Sequence, residues 1–372
     1  MSTHELYTIP VEHRTWDVDM TGASRFTWEY DDGRDRLLSL YQKGKDKQWD
    51  QTTRIDWSAE VDPGNPLGMP VEAISIYGTD QWKKIENDEK AVEELSLHLV
   101  SWQFSQFLHG EQGAMICSAR IVESVPDLDS KFYAATQTMD EARHAETYAR
   151  FLQEKIGLLY PINPHLKELL NDTLTDSRWD MPYLGMQVLI EGLALAAFGI
   201  LRDMTTQPLP KQILAYVMQD EARHVAFGRM ALKDYYAQLS SAELAEREEF
   251  VVEGCYLMRE RFRMQEVWSN LGFDVKECLA AVEQSPYYQA YQSLLFSRIV
   301  PCVKDIGLWG DKVQKAYADM GVLDMAGVDL DALMKADEDI AESVDAERRE
   351  LALRTAQVEE TLSEGAGEPV RL

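Results

Sequence analysis

The sequence predicts an all-α fold: a core of four helices, built as two helical hairpins with a long crossover, plus additional helices and an irregular N-terminal arm. Three observations predict it. Residues 86–306 are helical in pattern almost throughout, with no convincing strand pair. Pro- and Asp-containing breaks divide that stretch at hairpin spacing. The pentapeptide DEARH occurs twice, at 140–144 and 220–224, an offset of 80 residues.

The elements follow in order. Residues 1–85 are aromatic-rich and irregular, with one helix expected near DRLLSLYQKGKDKQW and a Pro/Gly loop at AEVDPGNPLGMP; they read as an arm packed on the core. NDEKAVEELSLHLV opens with a cap signal and continues as one long helix until VPDLDS breaks it. A second helix runs through the first DEARH to about 158, and YPINPH begins a crossover of about two dozen residues. A third helix covers roughly 182–204 and ends at TTQPLP, and a fourth starts near 211 and carries the second DEARH. SSAELAEREEF starts a fifth, capped at Ser240 or Ser241, and at least one more spans about 285–306. Residues 307–372 read as a charged helix and polar tail, a solvated appendage in the plain view and a docking tail in the sharper one.

Composition narrows the function. The 372 residues carry 64 acids against 37 bases, a net charge of −27. A surface this acidic repels phosphate backbones, which argues against a nucleic-acid partner. The longest apolar stretch, VLIEGLALAAFGI, is too short to span a bilayer and contains Glu191, so no membrane association is expected. The N-terminus lacks a signal-peptide pattern, and four scattered cysteines with no C-x-x-C pair suit reduced thiols in the cytoplasm.

The chemistry lies in the repeat. Glu141 and His144 are three residues apart, as are Glu221 and His224, so each pair shares one helix face. A carboxylate with an imidazole is a donor set suited to iron or manganese. Glu111 precedes Glu141 by 30 residues, and Glu191 precedes Glu221 by the same distance. Both upstream glutamates sit in apolar runs where an unpaired carboxylate is costly to bury. An antiparallel hairpin about each break brings the two glutamates of each half level. One Glu from each of two helices plus Glu-x-x-His from each of the other two is the ligand rule of carboxylate-bridged dimetal bundles. A ligating histidine needs its second nitrogen held, so Asp220 is expected on His144 and Asp140 on His224, with Arg143 and Arg223 offsetting the charge.

With these residues the chain resembles the ferritin-like superfamily of non-heme diiron proteins, in particular bacterial multicomponent monooxygenase hydroxylase subunits and the radical-generating small subunit of ribonucleotide reductase. The resemblance covers about residues 30–305. It implies a ferritin-like four-helix bundle and an O2-activating oxygenase that hydroxylates, N-oxygenates or desaturates a small, apolar or aromatic molecule. It implies two irons, or an Fe/Mn or Mn/Mn pair, on Glu111, Glu141, His144, Glu191, Glu221 and His224, with Glu141 and Glu221 as bridging candidates. A ferredoxin or flavin reductase would donate electrons, and a homodimer is possible. The alternatives are a tyrosyl-radical generator and a non-catalytic iron-binding protein. Tyr148, one turn after His144, occupies the radical position of the reductase branch, and Trp49 resembles its electron-path residue. That branch often has Asp where this chain has Glu111. The monooxygenases usually carry threonine where this chain has Leu195.

Positions one turn from these ligands are nearly all apolar: Phe107, Leu108, Ala114, Met115, Val188, Ala194, Leu195, Phe198, Val217 and Met218. Most are expected to pack the core. Phe107, Met115, Ala194, Leu195, Phe198 and Val217 are the candidates for a dry pocket. Gln137 and Ser118 are nearby polar candidates, while His109 and Glu146 fall one residue off the ligand face.

Overall fold

In the computed structural model, acidic caps start both helices of the first hairpin. Asp88 accepts from the Ala91 N–H and Asp127 from the Ser130 N–H, satisfying amides that have no partner inside the helix. The structure describes residues 34–365 together with Thr8, 22–25 and Thr27, with side chains described as far as 357. Among the described residues it is helical, without a strand.

The N-terminal arm contributes α1 (Asp35–Asp46) and two single-turn helices, α2 (Gln51–Arg54) and α3 (Asp80–Lys83), where one helix was expected. The core begins with α4 (Glu89–Ser124) and α5 (Leu128–Phe151), joined by 125–127 alone. The crossover holds a helix of its own, α6 (Pro164–Thr175), started by Asn163. The second hairpin is α7 (Glu191–Met204) and α8 (Pro208–Tyr236). Here the expected start near 211 moves to Pro208, because proline at the first helical position starts a helix that its ring would break further in. Then come α9 (Ser241–Arg261), with a capping box between Ser240 and Glu243, and the shorter α10 (Gln265–Asn270), α11 (Val275–Gln284), α12 (Pro286–Leu295), α13 (Ile299–Asp305) and α14 (Asp311–Asp319). The last is α15 (Leu330–Gly365).

A π-helical stretch, Tyr183–Ile190, runs directly into α7. The joined segment Tyr183–Met204 has 22 residues and is long and apolar enough to cross a membrane, longer than the apolar stretch alone suggests; 83% of its most apolar window is nevertheless buried inside the protein. Insertion of π turns is frequent beside functional sites, and this one ends at Glu191. The neighbouring helix comes very close: a Cβ at Gly228 of α8 would lie 2.5 Å from the Gln187 Cβ. Glycine therefore stands there because no side chain fits.

The C-terminal helix is not the solvated appendage of the plain reading. It packs along α8, and Asp337 and Asp345 are buried. Asp337 pairs with Arg202 (3.0 Å) and Arg298 (2.6 Å), and Asp345 with Arg54 (2.7 Å). Lys43 of α1 and Lys47 just past its end reach Glu338 and Glu342 at 2.8 and 3.0 Å, so arm and C-terminal helix are tied to each other. The run of charges hid this because acidic residues on the inner face find cations on the core. Replacing Asp337 with Ala leaves the buried Arg298 guanidinium without a carboxylate and Arg202 with Asp203 alone, and breaking a buried pair in this way costs on the order of 3–5 kcal/mol. Urea unfolding of the variant measures it, and a midpoint equal to that of the parent would show that α15 does not contribute this contact.

Candidate metal centre

Four helices bring the DEARH repeats face to face. Glu111 comes from α4, Glu141 and His144 from α5, Glu191 from the start of α7, and Glu221 and His224 from α8. All six are buried. Their donor atoms form two overlapping groups, Glu111–Glu141–His144–Glu221 and Glu141–Glu191–Glu221–His224, each within 4.8 Å. Glu141 and Glu221 belong to both.

The individual oxygens divide the same way. Glu141 Oε2 lies 3.3 Å from His144 Nδ1, and its Oε1 lies 3.0 Å from His224 Nδ1. Glu221 Oε1 lies 3.1 Å from His144 Nδ1, and its Oε2 lies 3.5 Å from His224 Nδ1. Each of these carboxylates thus turns one oxygen to each half, the disposition a bridging ligand requires. Glu111 approaches only His144, at 3.4 Å.

The far nitrogens face aspartate. His144 Nε2 is 3.0 Å from Asp220 Oδ2, and His224 Nε2 is 3.3 Å from Asp140 Oδ2. An Nε2–H donated to aspartate leaves Nδ1 as the lone-pair atom toward the glutamates. Arg143 Nη2 bridges Asp140 (2.6 Å) and Asp220 (2.8 Å), and Arg223 pairs with Asp220.

The arm adds two partners, Trp49, which the resemblance singled out, and Gln48, which nothing local in the sequence points to. Gln48 donates to Asp140 (2.7 Å) and accepts from Arg143 (2.5 Å). The Trp49 indole N–H donates to Asp220 at 2.8 Å, with the Arg143 guanidinium 4.7 Å over its ring. Gln137, one turn before Glu141, donates to both Glu141 (3.0 Å) and Glu191 (2.7 Å), and accepts from Gln187 (3.2 Å). Gln187 stands four residues before Glu191, so glutamine one turn before a ligand glutamate is the signal that would have found it.

The remaining candidates fall elsewhere. The Glu146 side chain is exposed and meets Gln51, the His109 ring binds the Tyr160 carbonyl, and Ser118 bonds within its own hairpin. Tyr148 is fully buried against Phe104, Phe107 and Phe198, with no hydrogen-bond partner for its hydroxyl. Burial, with Glu111 and Glu221 beyond it, holds that phenol well above its usual pKa. Of the six positions expected to line a pocket, Phe107, Leu195, Phe198 and Val217 are buried core, and Met115 and Ala194 are half-buried. An apolar cavity of about 300 Å³ lies instead further along α4 and α7, and none of the six lines it.

The donor set fits two metal ions. Burial pushes the Glu111 and Glu191 carboxyls well up, reinforced by the neighbouring Glu221 charge. Burial alone would lower the histidines, but the surrounding carboxylates raise both. Glu141 Oε2, Glu191 Oε2, both Glu221 oxygens and both histidine Nδ1 atoms are buried without a hydrogen-bond partner. Buried polar atoms are rarely left so, and here all six point at one space. Ionised, the six carboxylates and two guanidiniums leave four negative charges, which two divalent cations balance.

The sequence model of a family described as p-aminobenzoate N-oxygenase AurF matches residues 31–307. No curated protein sequence matches the chain. Among solved structures, an R2-like ligand-binding oxidase with a Mn/Fe cofactor is similar at 17% identity and a TM-score of 0.45, covering 73% of this chain and 94% of that one. A protein with aldehyde deformylating oxidase activity from Synechococcus is similar at 16% identity and a TM-score of 0.42, covering 59% and 95%.

Two outcomes test the centre. Protein as purified should hold about two irons or manganese per chain, and Glu111→Ala or His224→Ala should lower that content; metal unchanged in both would remove these residues from the site. Asp220→Asn should weaken metal affinity about 10- to 100-fold, because it frees the His144 tautomer. Competition with a chelator reads that change directly.

Proposed function

This chain belongs to the p-aminobenzoate N-oxygenase AurF family, and from that premise we propose that it oxygenates the nitrogen of a small aryl amine at the centre formed by the two DEARH repeats. It is an O2-activating non-heme diiron oxygenase with a ferritin-like fold. In this reading Glu111, Glu141, His144, Glu191, Glu221 and His224 would hold the metals, Glu141 and Glu221 being the two shared by both groups of donors. The observation that carries it is the set of buried, unpartnered donor atoms in two overlapping groups. A bound pair of redox metals supplies the electrons and Lewis acidity that dioxygen activation needs.

The protein's own residues prepare that chemistry. Asp140 and Asp220 hold the histidine protons at Nε2 and so keep Nδ1 free. Gln137 fixes Glu141 and Glu191 by donating to one oxygen of each. Phe104, Phe107, Tyr148 and Phe198 close one flank of the centre and keep water from it, protecting an oxidising site from unproductive reduction. Tyr148 keeps its proton and serves there as an aromatic wall. Leu195, fully buried one turn after Glu191, supplies no hydroxyl for proton relay.

The same reading has a ferredoxin or flavin reductase deliver electrons in the cytoplasm. Four buried, unpaired cysteines support a reducing compartment. Exposed Ile116, Phe132 and Met139 on the first hairpin support a homodimer.

The test is turnover. Metal-loaded protein with O2 and a reductant should convert 4-aminobenzoate or a related aryl amine to hydroxylamino or nitro product, followed by mass spectrometry with labelled O2. Tyr148→Phe should retain activity within a few-fold. Loss of turnover in that variant together with a tyrosyl radical signal in the parent would transfer the protein to the radical-generator reading.

A further inference from the structure

The apolar cavity of about 300 Å³ lies between the arm, α4, α7 and α12. Its volume is at the lower end of small-molecule sites. Val100 and Gln103 of α4 and Leu201 of α7 form its inner wall, Ala73 belongs to the arm side, and Met204, Tyr287 and Leu294 stand exposed at its rim.

Three features set it apart from a packing defect. First, it contains polar groups without partners. Gln103 is 5% exposed and its Nε2 is buried with no acceptor, and the buried Tyr291 hydroxyl likewise has none. Second, a buried cation stands behind the Phe262 ring of its wall without itself lining the cavity. Arg261 is 5% exposed, and its Nε and Nη1 have no partner. Its guanidinium lies 4.8 Å over the ring of Phe262, which lines the cavity, and Tyr291 is the phenol that acts on it. Burial lowers its pKa to about 10. A buried guanidinium with no carboxylate is costly until an anion reaches it. Third, Met264 on the cavity wall has φ 52°, the one non-glycine residue in the left-handed region among those described. Such backbone strain gathers at ligand sites.

The cavity is also in line with the metal centre. On α4, Gln103, Phe107 and Glu111 follow at four-residue steps along one face. On α7, Leu201, Phe198 and Glu191 follow in the same order from the other end. Eight residues of helix put Gln103 about 12 Å from Glu111 along the axis. Between them the Phe107 and Phe198 rings meet edge to face at 4.6 Å.

We propose that this cavity is an antechamber that binds an apolar monocarboxylate, with Gln103 and Arg261 reading the carboxylate and the Phe107–Phe198 pair separating it from the metals. The inference rests on the proposed function for the onward fate of the ligand and not for its binding. An aromatic acid and a short acyl acid share this chemistry.

Calorimetry on the metal-loaded protein without O2 tests it, with benzoate and octanoate as probes and benzyl alcohol as the uncharged match. One acid should bind at least 10-fold more tightly than benzyl alcohol, and the iron absorption bands should stay unchanged. Tighter benzoate assigns the chamber to aromatic acids, and tighter octanoate to acyl chains. Arg261→Gln and Gln103→Leu should each weaken the acid at least 10-fold, and Ala73→Trp should abolish its binding by filling the space. Should Arg261→Gln fail to fold, the other two variants decide. Absence of acid binding, equal binding of benzyl alcohol, a shift of the iron bands, or binding unchanged in folded Gln103→Leu and Ala73→Trp would each overturn the assignment. Amine turnover failing while acid binding persists would instead count against the proposed function.

Discussion

Six carboxylates are buried within a few ångströms of one another at the centre of this protein, and much of the surrounding structure answers that concentration of charge. Arg143 and Arg223 neutralise part of it, and each is held by the aspartates it serves. The four charges that remain equal those of two divalent cations, so bound metals would balance the centre. Apolar helices could surround it more easily if the acids were absent. Metals held by these acids would add their binding free energy to the stability of the bundle.

The two halves are alike in their ligands and unlike around them. Past His144 the chain places Tyr148 among phenylalanines, whereas past His224 it places Gly228 against the Gln187 backbone and side-chain stem. One flank is therefore an aromatic wall facing the apolar cavity. The other is a close helix–helix contact in which the π-helical segment brings Gln187 to Gln137. The surroundings of the centre are therefore one-sided, even though its donor residues are nearly symmetric.

The segments outside the bundle complete the enclosure. Gln48 and Trp49 of the arm cap the two aspartates behind the histidines, and the C-terminal helix locks the arm through Lys43, Lys47 and Arg54 and the core through Asp337. Removing water behind the histidines strengthens each ion pair there and holds both rings in one tautomer.

The sequence by itself determined the bundle, the two hairpins and the convergence of six donor residues, because helix periodicity and the Glu-x-x-His spacing are local and were repeated with one offset. It also determined the Asp–His cross-pairing, since a metal-binding imidazole needs a partner and the repeat offers one per half. Only the tertiary structure decided which distant residues join: Gln48 and Trp49 lie 92 and 171 residues from the aspartates they bind, and no periodicity reports such a pairing. It likewise decided that the acidic C-terminal helix is packed, that Glu146 and His109 turn away, and that the open space begins one turn beyond the phenylalanines. Those outcomes depend on how separate helices fill space against one another, a property of the assembled core rather than of any one stretch of chain.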